Sequence, residues 1–199
     1  MDFLPSQDHY LYTLSFVYMY SFYLHTFILS SIFVYVTFNI YIIGTLKPVE
    51  FTAAYDCAKQ KIKQAMDEDI YTELLLSVFN ITNASSIKKK WNKTLDCLNT
   101  SSVYYPFVVP DENVMAYVYP NMNNFYPNRI FVNKKYFKNA TLNVQANVLI
   151  HECTHLGFDS MDYAYMHEDK FVRLRGNKAL RNADTHVLII NGIKNNCYF

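Results

Sequence analysis

The sequence predicts an α+β domain behind an apolar N-terminal segment. Three observations carry that reading: a long run without charge near the start, helical spacing of apolar residues after it, and a β-branched and aromatic stretch before helical spacing returns. At 199 residues the chain is one domain with an appendage. A formal net charge of +1 gives no electrostatic case for nucleic acid or for a strongly acidic partner.

The apolar run comes first. From Leu11 to Leu46 there is no Asp, Glu, Lys or Arg, and only His25 can carry charge. About 20 apolar residues cross a bilayer, whereas a signal-peptide core takes roughly 7–15. Residues 1–46 therefore read as a signal anchor or, second, a cleaved signal peptide; the plain alternative is a buried pair of core helices. Asp2 and Asp8 before the run and Lys47 after it would by charge bias leave the C-terminal side in the cytoplasm. Two features outweigh one lysine. The Asn-x-Ser/Thr acceptors Asn80, Asn83, Asn92, Asn99 and Asn139 all lie beyond the run, and so do Cys57, Cys97, Cys153 and Cys197. An even cysteine count fits two disulfides in an oxidising compartment. Residues 47–199 are thus expected to be secreted, or membrane-anchored through 11–46 if uncleaved, with the domain extracellular or luminal.

Within 47–199, "FTAAYDCAKQKIKQAM" spaces Ala54, Cys57, Ile62 and Ala65 as one helical face, with the lysines on the other. "DIYTELLLSVF" reads as a second helix. "SSIKKKWNKTLDCL" reads as a third, with Ile87, Trp91, Leu95 and Leu98 on one side. "NVMAYVYP" and "NRIFVNKKYF" then read as strands around the turn "NMNNFYP". "TLNVQANVLIHECTHLG" returns to helix: Thr141 or Asn143 suits the N-cap, and Gly157 sits where a left-handed residue commonly ends a helix. A last helix covers "NADTHVLIINGI".

The fourth of these helices carries the chemistry. Positions i and i+4 stack one turn apart, so His151 and His155 project together and can hold one Zn2+ through ring nitrogens. Glu152 lies one position round, within reach of a water on that metal, which is the physical content of H-E-x-x-H. The bland alternative is a pair of core or surface histidines. A catalytic zinc needs a third protein ligand, and Asp159, Asp162, His167 and Glu168 are the candidates. The metzincin spacing fails, because Phe158 and Met161 stand at its glycine and third histidine. Asp159 is very close to the helix end, and Glu168 is too near in sequence for a separate packed helix. Asp162 leaves six residues in which the chain can return.

"LIHECTHLGFDSMDYAYM" followed by "ALRNADTHVLIINGI" resembles the aspzincin metallopeptidases of the deuterolysin and peptidyl-Lys endopeptidase type. That family follows its HExxH with Gly-Thr-x-Asp-x-x-Tyr-Gly and then an Asn-Ala-Asp helix. The likeness covers about residues 113 to 193 and implies a zincin-like fold for 47–199. It implies Asp162 as the third ligand and Tyr165 as the hydroxyl that meets the carbonyl oxygen. It aligns Asn182, Ala183 and Asp184 with the triplet, Asp184 lying near the substrate pocket; the alternatives for Asp184 are a helix N-terminal carboxylate and a partner that orients a zinc histidine. Phe158 stands in for the motif threonine and Met166 for the closing glycine. Val187 aligns with an acidic residue of lysine-preferring members, so lysine preference is not implied. Asn133 takes the place of a family cysteine, which makes Cys57–Cys97 the more family-like pair and Cys153–Cys197 a local substitute.

The resemblance thus implies a zinc-dependent metalloendopeptidase, acting as a monomer on protein or peptide substrates, with Glu152 as the catalytic base. The competing expectation is a zincin scaffold kept as a binding protein without turnover.

Overall fold

A computed structural model describes residues 23–32, 45–46, 51–67, 79–81, 84–106, 109–120 and 128–192. The chain forms two units, 1–43 and 44–199. In the first, residues 23–32 are helical with exposed side chains. No helix among the described residues is long and apolar enough to cross a membrane, and most of the apolar run lies outside them.

The second unit opens with a short strand. Strand β1 (Thr45–Leu46) pairs antiparallel with β2 (Ser102–Tyr105), Thr45 opposite Tyr105. Strands β3 (Ala116–Tyr117) and β4 (Arg129–Val132) complete a four-stranded sheet in the order β1-β2-β4-β3. β2 and β4 are parallel, with Val103 opposite Ile130, and β3 runs antiparallel to β4. β4 is central, and Ile130, Phe131 and Val132 are all buried, as a strand covered on both faces requires. β2 was not legible in the sequence. Its alternate residues Val103 and Tyr105 are buried, but four residues give little periodic signal.

The expected run "NRIFVNKKYF" is not one strand. Asn133 breaks it: its backbone N–H donates to Met115 O, and its side chain caps a short helix, α3 (Lys134–Phe137), by accepting from Lys135 N. Two long helices lie between β1 and β2 in the chain, α1 (Thr52–Asp67) and α2 (Ala84–Thr100). The expected helix "DIYTELLLSVF" lies outside the described residues except for Phe79, which is buried.

α1 departs from its expected pattern at one position. Lys61 is not on the solvent face but is 1% exposed, its Nζ donating to Asn147 Oδ1 at 2.9 Å and Asn191 Oδ1 at 2.6 Å. Burial pulls its pKa down to about 8. The two asparagines lie on α4 (Leu142–Phe158) and, after the short α5 (Gly176–Leu180), on α6 (Ala183–Gly192), so one ammonium ties three helices together.

α4 is the central helix. Thr141 Oγ1 caps it by accepting from Val144 N, and Ala146, Leu149, Ile150 and Cys153 are buried against α1, α2 and α6. Gly157 does not end it. The left-handed residue is Asp159, at φ 54°, and Gly157 sits inside the helix against the backbone of α2. A Cβ at Gly157 would lie 2.9 Å from Lys93 O, so the glycine sets how closely the two helices approach.

The disulfides also depart from expectation. Cys97 on α2 bonds Cys153 on α4, with Cα atoms 5.6 Å apart, so neither Cys57–Cys97 nor Cys153–Cys197 forms. The close α2–α4 contact explains it: Cys97 and Cys153 face each other across that contact one helical turn from Gly157. Cys57 is itself disulfide-bonded, and Cys197 lies outside the described residues.

Candidate metal centre

α4 delivers both histidines by its own geometry. The His151 and His155 rings are 5.0 Å apart between centroids, and their Nε2 atoms are 3.2 Å apart. Each ring is held by its other nitrogen. His151 Nδ1 is 2.7 Å from Asp184 Oδ1, and His155 Nδ1 is 2.9 Å from the carbonyl of Ser160. A nitrogen facing a carbonyl must carry the proton, so His155 presents a bare Nε2 when neutral. The Asp184 carboxylate has the same effect on His151.

The turn after α4 brings back the third group. Asp159 adopts the left-handed conformation, and Thr154 Oγ1 meets Ser160 Oγ at 2.6 Å. Asp162 follows, with Oδ1 3.1 Å from His151 Nε2 and 3.3 Å from His155 Nε2. His151, His155 and Asp162 are thereby gathered as one group of metal-ligating atoms among the described residues. Donors about 2.0–2.1 Å from a tetrahedral zinc stand about 3.3 Å apart, so separations of 3.1, 3.2 and 3.3 Å match that donor set. Two nitrogens and one carboxylate oxygen with an open side is the composition of a catalytic zinc site. The residues fit the metal.

Electrostatics say the same. Burial disfavours charge on His151, but its hydrogen bonds to Asp162 and Asp184 outweigh that and raise its pKa to about 10. Burial likewise opposes charge on His155, and its bond to Asp162 again prevails and raises it. Asp162 loses solvation, yet the two imidazoles hold it well below the usual carboxylate range. These groups are arranged to share a positive charge. Glu152 is buried, and that burial raises its pKa.

Tyr165 and Asp184 frame the group. The Tyr165 ring lies parallel to His151, 6.1 Å between centroids, and is half exposed. Burial, then the neighbouring Asp162, pushes its hydroxyl up to about 12. Asp184, expected near the substrate pocket, has both oxygens engaged within the site: Oδ1 on His151 and Oδ2 accepting from Met166 N at 2.8 Å. Glu168 points elsewhere, accepting from Tyr165 N. His186 is buried and accepts from Trp91 Nε1, and His167 stacks on Tyr165.

A family model described as a lysine-specific metallo-endopeptidase, the aspzincin type, matches residues 60–190. The chain belongs to the aspzincin family. A neutral protease 2 homologue of Neosartorya fischeri is 32% identical over 107 residues, covering 49% of this chain and 22% of that protein. The chain thus matches about a fifth of the length of that curated relative. A zinc peptidase from Grifola frondosa shares the fold, with a TM-score of 0.54 at 21% identity, over 70% of this chain and 91% of that one.

Between α4 and Asp162 the chain turns through Asp159 and Ser160. Asp159 adopts the positive φ a glycine takes most easily, and Ser160 supplies a hydroxyl. Phe158 packs its ring on His186 and under the Lys90 ammonium. Sequence reasoning missed Ser160 and Thr154 as supports of His155. A hydroxyl two residues before Asp162 was the available signal.

Proposed function

We propose that this aspzincin is a zinc-dependent endopeptidase that holds one zinc on His151, His155 and Asp162. The observation that carries the reading is the mutual approach of their three ligand atoms, 3.1–3.3 Å apart, with each imidazole already tethered through Nδ1. Zinc, when bound, supplies Lewis acidity that lowers the pKa of a water to about 7 and polarises the substrate carbonyl.

The chain's own groups account for the rest. Glu152, made more basic by burial, accepts the proton of the attacking water and returns it to the leaving amine. General acid–base transfer of this kind contributes about 10²–10⁴ in rate. Tyr165 keeps its hydroxyl proton at neutral pH and donates it in a hydrogen bond to the carbonyl oxygen as that atom gains charge. One such donor is worth ~3 kcal/mol. Asp184 and the Ser160 carbonyl fix the imidazole tautomers, so that both Nε2 lone pairs face the ligand position. The peptide enters on the side where Asp162 and Tyr165 remain accessible.

Export belongs to the same proposal. Its support is the disulfide-bonded state of Cys57, Cys97 and Cys153, the exposure of Asn80, Asn92, Asn99 and Asn139, and the charge-free run ahead of the domain.

The test is Glu152→Gln. Zinc content and thermal midpoint are expected to stay at wild-type values while cleavage of an unstructured protein substrate falls at least a hundredfold. Wild-type-like cleavage by that variant would remove Glu152 from the chemistry, and a wild-type chain that cleaves nothing while holding zinc would favour the binding-protein reading.

A further inference from the structure

Asp162 and Tyr165 sit three residues apart on a segment with no regular structure of its own, between α4 and the 3-10 turn Phe171–Arg173. Something outside the segment must aim them. The segment is fastened to residues 181–184 by a ladder of hydrogen bonds. Met161 N donates to Arg181 O at 2.7 Å, and Ala183 N donates to Met161 O at 3.0 Å. Next, the Asn182 side chain grips Ala164 at both backbone groups: Oδ1 accepts from Ala164 N at 3.0 Å, and Nδ2 donates to Ala164 O at 2.9 Å. Asp184 Oδ2 closes the ladder on Met166 N.

We infer that Asn182 is a positioning residue for the catalytic segment, its carboxamide clamping Ala164 so that Asp162 and Tyr165 are both held against His151. The argument is one of fit. Asn182 and Ala164 are 0% and 1% exposed, so no water replaces either bond readily. A carboxamide offers a donor and an acceptor side by side, matching the N–H and C=O of one residue as a neighbouring strand would. The orientation of the amide is dictated, because Ala164 N needs an acceptor and Ala164 O a donor. A third bond, from Nδ2 to Thr185 Oγ1 at 3.3 Å, steadies the carboxamide from the first turn of α6. Ala164 is two residues past Asp162 and one before Tyr165, so a shift of its peptide moves both side chains at once.

The inference rests on the zinc reading above, and the experiment separates the two. In the full chain, Asn182→Asp keeps the shape and the acceptor but sets a carboxylate oxygen against the carbonyl of Ala164. Zinc affinity is measured by competition with a chromogenic chelator at a temperature where both proteins are folded, and kcat and KM are measured separately. Zinc affinity is expected to fall about 10–100-fold and kcat to fall with KM little changed, since the variant misplaces a ligand and a donor rather than a substrate contact. Should that variant not fold, Asn182→Ser, which shortens the clamp without adding charge, is measured in the same way. A folded variant with zinc affinity and kcat within twofold of wild type overturns the inference and leaves the zinc reading intact. Failure of both variants to fold also overturns it, by assigning Asn182 to the fold at large. A wild-type chain with no zinc affinity would overturn the functional reading first.

Discussion

His151 Nδ1 and Asp184 Oδ1 are 2.7 Å apart, while the other oxygen of Asp184 takes the Met166 amide. One carboxylate therefore joins the His151 imidazole on α4 to the segment bearing Tyr165, from the first turn of α6. Asp184→Asn keeps the shape but replaces a charged acceptor by a neutral group, weakening the hold on His151. Zinc affinity is expected to fall 10–100-fold, read by chelator competition, with the thermal midpoint of the metal-free protein far less affected. An unchanged affinity would detach Asp184 from the metal centre.

Zinc binding should depend steeply on pH. In the metal-free protein His151 is protonated up to about pH 10, and His155 is raised as well. Zinc must displace those protons, so its apparent affinity falls as pH falls, by at least tenfold per unit between pH 8 and 6. Isothermal titration in buffers of different ionisation enthalpy counts the released protons. The count should be one or more per zinc.

The pKa of His186 is shifted in the opposite direction from those of His151 and His155. It is buried and neutral, accepting from Trp91 Nε1 at 3.1 Å and donating from Nε2 to Leu180 O at 2.9 Å. Burial, its main cause, lowers its pKa from 6.5 to about 4. The unfolded chain then binds the proton more readily. Its contribution is fully present above pH 6.5 and is lost as pH falls towards 4, about 3 kcal/mol across that window. Denaturant midpoints of wild type and His186→Gln, compared from pH 7 to 4, isolate this term from the other carboxylates and histidines.

The α2–α4 contact is predicted to be intolerant of bulk and dependent on its crosslink. Gly157→Ala puts a methyl 2.9 Å from Lys93 O, a backbone atom that cannot step aside alone. A loss of about 1–3 kcal/mol in unfolding free energy is expected. Removing the Cys97–Cys153 bond, whose ends are 56 residues apart, should lower stability by about 2–4 kcal/mol. Non-reduced peptide mapping should recover the Cys97 and Cys153 peptides joined to each other.

The helix α4 was legible because its information is local. His151, Glu152 and His155 follow from a four-residue repeat, and Thr141 from cap chemistry. Asp162 was reachable from loop length and from likeness to aspzincins. What failed depended on which helices meet. Gly157 looks like a helix stop until α2 is seen against it, and Lys61 looks solvated until Asn147 and Asn191 close over it. The cysteine pairing went the same way, because four cysteines allow three pairings and only the packing of α2 on α4 chooses Cys97–Cys153. Asn182 was noticed as part of a triplet, but its role lies in two backbone atoms of Ala164, which no side-chain pattern reveals.

The central claim is that three atoms from two turns of α4 and the segment after it share one cation. Anomalous scattering at the zinc edge from crystals of the purified protein tests it most directly. A single peak in bonding contact with His151 Nε2, His155 Nε2 and a carboxylate oxygen of Asp162 is the predicted result. A zinc peak held by other residues, or Asp162 turned to solvent beside a metal bound only by the two imidazoles, would contradict it.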